Sequence, residues 1–317
     1  MSRTTSQVIQ TNILHKSKLQ KFWHKNKIAY LFLLPWLLGI FVFALYPIMS
    51  SLYLSFTNYD LFQSPDWVGA QNYIHMVTQN QRFEKAILVT LRYVLIGVPL
   101  QLTTALILAL ILNKGIPGLP LFRALFYVPS LLGGSVAIAV LWRQLFGAKG
   151  LFNELLIMLN IVNPDKVISW VTNPSYSLYT LIILLMWAFG SPMIIFLAGL
   201  KQIPTELYEA AEIDGATKRK QFFHITFPLL TPIIFFNLVM QIISSFQAFT
   251  PAYIVGGGTS GGSLDSILFY TLHLYFVAFV EFRMGYASAM AWILLLFIVI
   301  FTGILFLSAR KWVYYEQ

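Results

Sequence analysis

The chain has 317 residues, of which 58% are hydrophobic and only 10% charged. A soluble domain carries roughly 25% charged residues, so this sequence cannot coat a soluble protein of its size and reads as an integral membrane protein. It has no cysteine, which excludes disulfides, iron–sulfur clusters and thiolate zinc sites. Its net charge of +9 would suit nucleic acid, but the cations stand where membrane topology puts them, so no nucleic-acid partner is expected.

Residues 1–27 contain no acid and form a basic segment expected on the cytoplasmic side, against an anionic leaflet. The following apolar run is too long for a signal-peptide core. A membrane helix needs about 20 mostly apolar residues, and six runs meet that length. They are Ile28 to Phe56, Ala86 to Asn113, Ala124 to Phe146, Tyr176 to Leu200, Phe227 to Phe249 and Met284 to Ala309. Ser266 to Val280 is apolar but short, and is expected to be an interfacial helix. Six spans put both termini on one side. That side holds fourteen of the 21 Lys and Arg residues, so both termini are expected to be cytoplasmic. Residues 28–317 form one all-α permease-like domain in this reading.

Catalytic constellations are missing. The five histidines have no i, i+4 pair, there is no Gly-x-Ser-x-Gly elbow, and no Walker-type lysine follows Gly256 to Gly262. That glycine run reads as a hinge or turn. The six runs hold no carboxylate, which opposes a proton-driven carrier. Arg92 and Arg143 are the intramembrane charges, each near a span end where it can snorkel.

The loop over 201–228 stands apart. Pro204 and Thr205 start a short helix, with Thr205 the expected N-cap; Glu206 and Glu209 suit its first turns. Ala210 and Ala211 leave room for a close partner. Asp214, Gly215 and Ala216 form the stop, where glycine supplies a positive φ. Lys218 to Lys220 and an apolar stretch lead to Pro228, expected to open the fifth span. On residues alone the loop is either a docking knob or a capped, solvated turn.

Glu209-Ala210-Ala211, Asp214-Gly215-Ala216, Phe222, Ile225 and Pro228 resemble the EAA loop of binding-protein-dependent ABC importer permeases, with Phe227 where leucine is usual. Leu34-Pro35, Tyr46-Pro47, Ser55-Phe56-Thr57, Val68-Gly69, Asn72-Tyr73 and the run Phe282 to Ala289 are similar to the carbohydrate branch of that family. The resemblance covers about residues 28 to 310 and implies a type I (MetI-like) architecture. It implies a permease in the bacterial cytoplasmic membrane that itself hydrolyses nothing. Its partners would be a second permease, two ATPase subunits carrying ATP and Mg, and an extracytoplasmic sugar-binding protein. Glu206, Glu209, Ala210, Ala211, Asp214, Gly215 and Ala216 would then couple to the ATPase. An ion-gradient-driven secondary carrier and a non-transporting scaffold are the alternatives, and neither needs an ATPase knob.

Sugars need hydrogen-bonding groups and aromatic faces. In the fifth span Asn237, Gln241, Ser244 and Ser245 share a helical face, with Gln247 one turn beyond Ser244. By resemblance Ser244 and Gln247 are the foremost candidates. Trp187, Gly190 and Ser191 in the fourth span and Ser135 in the third complete the expected substrate path. Such residues also serve as interhelical glue.

Overall fold

The computed structural model describes residues 18–114, 118–259 and 261–314. The expected basic segment lies outside them as far as residue 17. The described chain divides into two compact units, Met1–Tyr53 and Leu54–Gln317.

Among its described residues the first unit is one helical run, α1 (Lys18–Ile40), a π-turn over Phe41–Leu45, and α2 (Tyr46–Leu54), whose last residue already counts with the second unit. Pro47 cannot donate to the carbonyl of Phe43, the middle residue of the π-turn, and the ladder widens there instead of breaking.

The second unit opens with a two-residue antiparallel ladder, β1 (Thr57–Asn58) and β2 (Asp66–Trp67), a small departure from an all-α chain. Next come α3 (Gln71–Gln79) and α4 (Gln81–Leu112). Ala86, Thr90, Val94, Gly97, Val98, Gln101, Ala105 and Ala109 of α4 make a buried stripe at i, i+3, i+4 spacing. Its small members let other helices close in, as helices in lipid require. A Cβ on Gly97 would sit 2.7 Å from Leu185 Cδ2.

The third run is not one straight span. It is α5 (Leu119–Leu132) and α6 (Val136–Leu145), bent by 94°. Gly133 and Gly134 cost the helix backbone entropy, and Ser135 is extended with Oγ accepting from Ile138 N at 3.3 Å, so it starts a new helix. After α7 (Leu151–Met158) the fourth run is also broken, into α8 (Ser177–Trp187) and α9 (Gly190–Leu200), bent by 40°. Pro192 lacks an N–H, and the break seats it in the first turn of α9, where none is needed.

α10 (Thr205–Ile213) follows. Thr205 is its first residue, not its N-cap; Pro204 holds that place and no side-chain cap bond forms. α11 (Lys218–Gln221), a π-turn over Phe222–Thr226 and α12 (Phe227–Phe246) then run as one helix. Pro228 therefore does not open the fifth span. The carbonyl it leaves free, that of His224, is again at the centre of a π-turn.

α13 (Thr250–Val255), α14 (Tyr270–Phe279) and α15 (Met284–Trp312) complete the unit. α14 corrects the expectation of an interfacial helix. Tyr270, Leu272, His273, Val277 and Ala278 are buried, Tyr270 N bonds Thr90 Oγ1, and Tyr270 OH bonds the Met290 carbonyl. The segment is short because it packs between α4 and α15 inside the protein. The core centres on α4, against α8, α9 and α12.

His273 on α14 is buried, and neither ring nitrogen has a partner among the described residues. Burial pushes its pKa down from 6.5 to about 4; Arg82 and Arg283 push the same way and Asp265 opposes them. The unfolded chain thus takes up a proton below about 6.5 that the folded chain refuses until about 4, so stability falls as pH drops through that window. We expect thermal stability of the purified protein to fall by about 1–3 kcal/mol on acidification across it. His273→Leu should flatten that part of the pH profile; a profile identical to wild type would show that another group carries the dependence.

Candidate functional site: a polar cavity between broken helices and an exposed coupling helix

The break between α8 and α9 frees the carbonyl of Ala188 in the interior of the protein. A bare carbonyl there is costly, and two side chains answer it. Gln101 Nε2 donates at 2.8 Å and Ser130 Oγ at 3.0 Å, while Ser130 Oγ accepts from Ser191 N at 2.8 Å. Three helical runs, α4, α5 and α8–α9, are thereby tied at one point. Gly133 brings the α5–α6 break against it: a Cβ there would lie 2.9 Å from Ala188 Cβ.

A cavity of about 470 Å³ opens beside this junction. That is within the ~300–1,000 Å³ usual for small-molecule sites. Its hydrogen-bonding wall is Gln101, Ser130, Ser191, Gln241, Ser244, Ser245, Gln247 and Thr250, with Tyr93 and Phe249 as aromatic faces. Among the described residues no charged one lines it. Gln101 Oε1 and Ser245 Oγ are buried without a partner among the described residues. Each is left unpaired at a cost of roughly 1–3 kcal/mol, while the open part of the wall offers hydroxyls and amides to a polar ligand.

Of the eight residues expected on the substrate path, the structure brings Ser191, Gln241, Ser244, Ser245 and Gln247 into this wall. Three lie elsewhere. Ser135 caps α6. Gly190 is filled by its neighbours, since a Cβ would meet Phe126 O at 2.6 Å and Tyr127 Cα at 2.9 Å; it gives room to the α5 backbone, not to a ligand. Trp187 is carried by the bend into a second cavity of about 510 Å³, beside Trp142, with ring centroids 6.1 Å apart. Asn237 is buried deeper in α12, away from either wall. Arg92 and Arg143 are exposed and line neither cavity. Sequence reasoning missed Gln101 and Ser130. The signal for Gln101 was its place four residues after Gly97 and four before Ala105, on the small-residue stripe.

At the far end of the same long helix lies the 201–228 loop. α10 ends in a Schellman stop: Ala216 N bonds Ala211 O at 2.8 Å and Gly215 N bonds Glu212 O at 3.0 Å, with Gly215 at φ +73°. Glu206, Glu209, Ala210, Asp214 and Gly215 are exposed; Ala211 and Ala216 are partly covered. Nothing lies within 4 Å of a Cβ on Gly215, so the turn is open and its glycine serves the backbone. Tyr208 anchors α10 from beneath, its OH sharing a 2.9 Å bond with Thr226 Oγ1 in the π-turn. Two apolar side chains missed in the sequence stand on the outer face: Leu207, and Ile213 at 88% exposure. Glu212 pairs with Lys218, and that hydrogen bond and charge hold its carboxyl below the usual range.

The wider likenesses agree with this geometry. Residues 80–314 match the family described as binding-protein-dependent transport system inner membrane component. The chain is 50% identical to the probable ABC transporter permease protein YesP of Bacillus subtilis, over 92% of this chain and 93% of that one. It is 33% identical to the arabinooligosaccharides transport system permease protein AraP of the same organism, over 88% and 87%. A bacterial ABC transporter involved in the import of the acidic polysaccharide alginate shares the fold, with a TM-score of 0.75 at 19% identity over 93% of this chain and 99% of that one. The match over most of its length places this chain in the family of binding-protein-dependent transport system inner membrane components, the integral membrane permeases of ABC transporters.

Proposed function

We propose that this chain is one of two permeases of an ATP-driven importer for a neutral oligosaccharide, set in the cytoplasmic membrane with both termini and the coupling loop inside. The observation that carries this is the pairing of two features at the opposite ends of one helix, the first joined to it by a tight turn. The stretch from Lys218 to Phe246 follows the exposed coupling helix α10 directly and ends at an uncharged, hydroxyl- and amide-lined cavity. The name of the relative AraP supports the sugar class.

In this reading α10 seats in a groove of an ATPase subunit, with Leu207 and Ile213 as apolar anchors and Glu206 and Glu209 as charged ones. Glu206, Glu209, Ala210, Ala211, Asp214, Gly215 and Ala216 form the coupling element. ATP and Mg bind to two such ATPase subunits, and this chain carries out no hydrolysis. A binding protein outside delivers the sugar. Closure of the ATPases moves α10, the Tyr208–Thr226 bond moves the π-turn, and α12 moves the cavity wall. This is alternating access through a bistable, rigidly linked element. Ser191, Gln241, Ser244, Ser245 and Gln247, with Gln101, hold the sugar hydroxyls in passage.

The test is ATPase stimulation and uptake by the full complex in proteoliposomes, across neutral oligosaccharides, uronate oligosaccharides, amino acids and peptides. Stimulation confined to neutral oligosaccharides is expected. Transport of a charged amino acid or peptide instead would overturn the substrate class.

A further inference from the structure

The interfacial helix expected at α14 is absent there, but its physical signature stands on α7. Leu151, Leu155, Met158 and Leu159, and Ile161 just beyond, are each more than half exposed, Met158 at 85%. The first four lie at i, i+4, i+7 and i+8, an arc about 100° wide on one helical face. Asn153, on the opposite face, is buried and fixed: Nδ2 lies within 3.0 Å of the carbonyls of Gly147, Ala148 and Ile168, and Oδ1 accepts from Trp170 Nε1 at 2.8 Å. Phe152 packs between Phe146 and Trp170. The helix cannot roll its apolar arc inward.

That arc continues an apolar surface already present on the broken third run. Val136, Val140 and Leu141 of α6 are exposed, and the second cavity, walled by Leu141, Leu145 and Leu151 with Gln144 and Lys149 also in its lining, links α6 to α7. The exposed charges near this surface are Arg143 on α6, Lys149 between the two helices, Glu154 on the flank of α7, and Asp165 and Lys166 beyond it. An apolar face flush with a membrane-spanning surface and edged by lysines is the pattern of a segment lying in the headgroup region.

We propose that α7 is a membrane-surface helix on the side opposite the coupling loop, with its arc in the upper acyl chains and Lys149 and Lys166 at the lipid phosphates. It holds the α5–α6 break, and with it the Gly133 and Gly134 wall of the polar cavity, at a fixed depth. The inference is independent of which solute is carried.

The chain has no cysteine, so Met158→Cys gives it a single labelling site. The complex carrying an environment-sensitive fluorophore there is reconstituted in phospholipid vesicles, with the unsubstituted complex as background and Asn163→Cys as a marginal reference. Phospholipid brominated high on its acyl chains should quench the Met158 probe roughly twofold or more, and aqueous iodide should barely touch it. The Asn163 probe should show the reverse. Quenching of the Met158 probe by iodide as strong as at Asn163 would put the arc in water. Indifference to both quenchers would put it beneath a second protein. Either result overturns the proposal.

Discussion

Gly215→Val is expected to abolish ATP-driven uptake while leaving the permease inserted and assembled. The glycine is at φ +73° with open space around it, so the substitution meets no neighbour. What it meets is the backbone: a β-branched residue in the left-handed region is strained by about 1–3 kcal/mol. The loop can relieve that strain by abandoning the Schellman bonds from Ala216 and Gly215, which unlatches α10 from its stop. The spans are untouched, because the turn is exposed and far from the core around α4. Gly215→Asn, which tolerates the same φ, should keep most of the uptake. Glu209→Lys should fail as Gly215→Val does, since Glu209 is exposed and its side chain holds no bond among the described residues whose loss would unfold the chain. Uptake, ATPase activity and copurification of subunits are measured together. Wild-type uptake in both Gly215→Val and Glu209→Lys would mean that the loop does not couple.

Gly190→Ala should damage the protein more broadly. Here the added methyl meets main chain, Phe126 O at 2.6 Å and Tyr127 Cα at 2.9 Å, with Ser130 Oγ also at 2.9 Å. No side-chain rotation relieves a clash with backbone, so α5 and α9 must part. Overpacking of this kind costs about 1–3 kcal/mol. The displaced atoms include Ser130, which bonds both Ala188 O and Ser191 N, so the junction that shapes the cavity loosens too. We expect a lower melting temperature in detergent and weak uptake. Gly134→Ala, at the neighbouring break, is the control for stability: nothing lies within 4 Å of its Cβ, so it should keep the wild-type melting temperature. Equal behaviour of the two variants would show that the α5–α9 contact is not tight.

These two glycines show what the sequence discloses and what it conceals. Asp214-Gly215 after a short amphipathic stretch is a local stop signal, and local signals survive into structure; the positive φ at Gly215 could be read from the chain. Gly190 looked like space for a ligand because a missing side chain gives no hint of what fills the gap. The long apolar runs of α4, α12 and α15 were legible, since length and hydropathy are their causes. The bends at 133–135 and 188–189 were not, because hydropathy does not register angle and Gly-Gly-Ser or Gly-Ser-Pro is tolerated inside membrane helices. Those bends decided the fate of Ser135 and Trp187, which a straight helix would have aimed at the path. Gln101 was overlooked because the run holding it was searched for charge, and an amide becomes visible only when a broken helix elsewhere frees the carbonyl of Ala188. α14 was misplaced for a similar reason: 15 apolar residues fit a surface helix or a buried one, and the bonds from Tyr270 to Thr90 and Met290 that choose between them are long-range.

In the proposed function the cavity beside Ala188 is the sugar's passage, and α12 forms part of its wall. The most direct test is ATP-dependent uptake of a transported oligosaccharide by the reconstituted complex with Ser244→Leu and, separately, Gln247→Leu. Both residues line the cavity and neither anchors a neighbouring helix by a side-chain hydrogen bond among the described residues. Each leucine leaves sugar hydroxyls facing an apolar wall, at roughly 1–3 kcal/mol per lost partner, or about a five- to hundredfold loss in uptake. Basal ATPase activity and assembly should be unchanged. Wild-type uptake in both variants would take the cavity out of the sugar's path and leave α12 a packing helix.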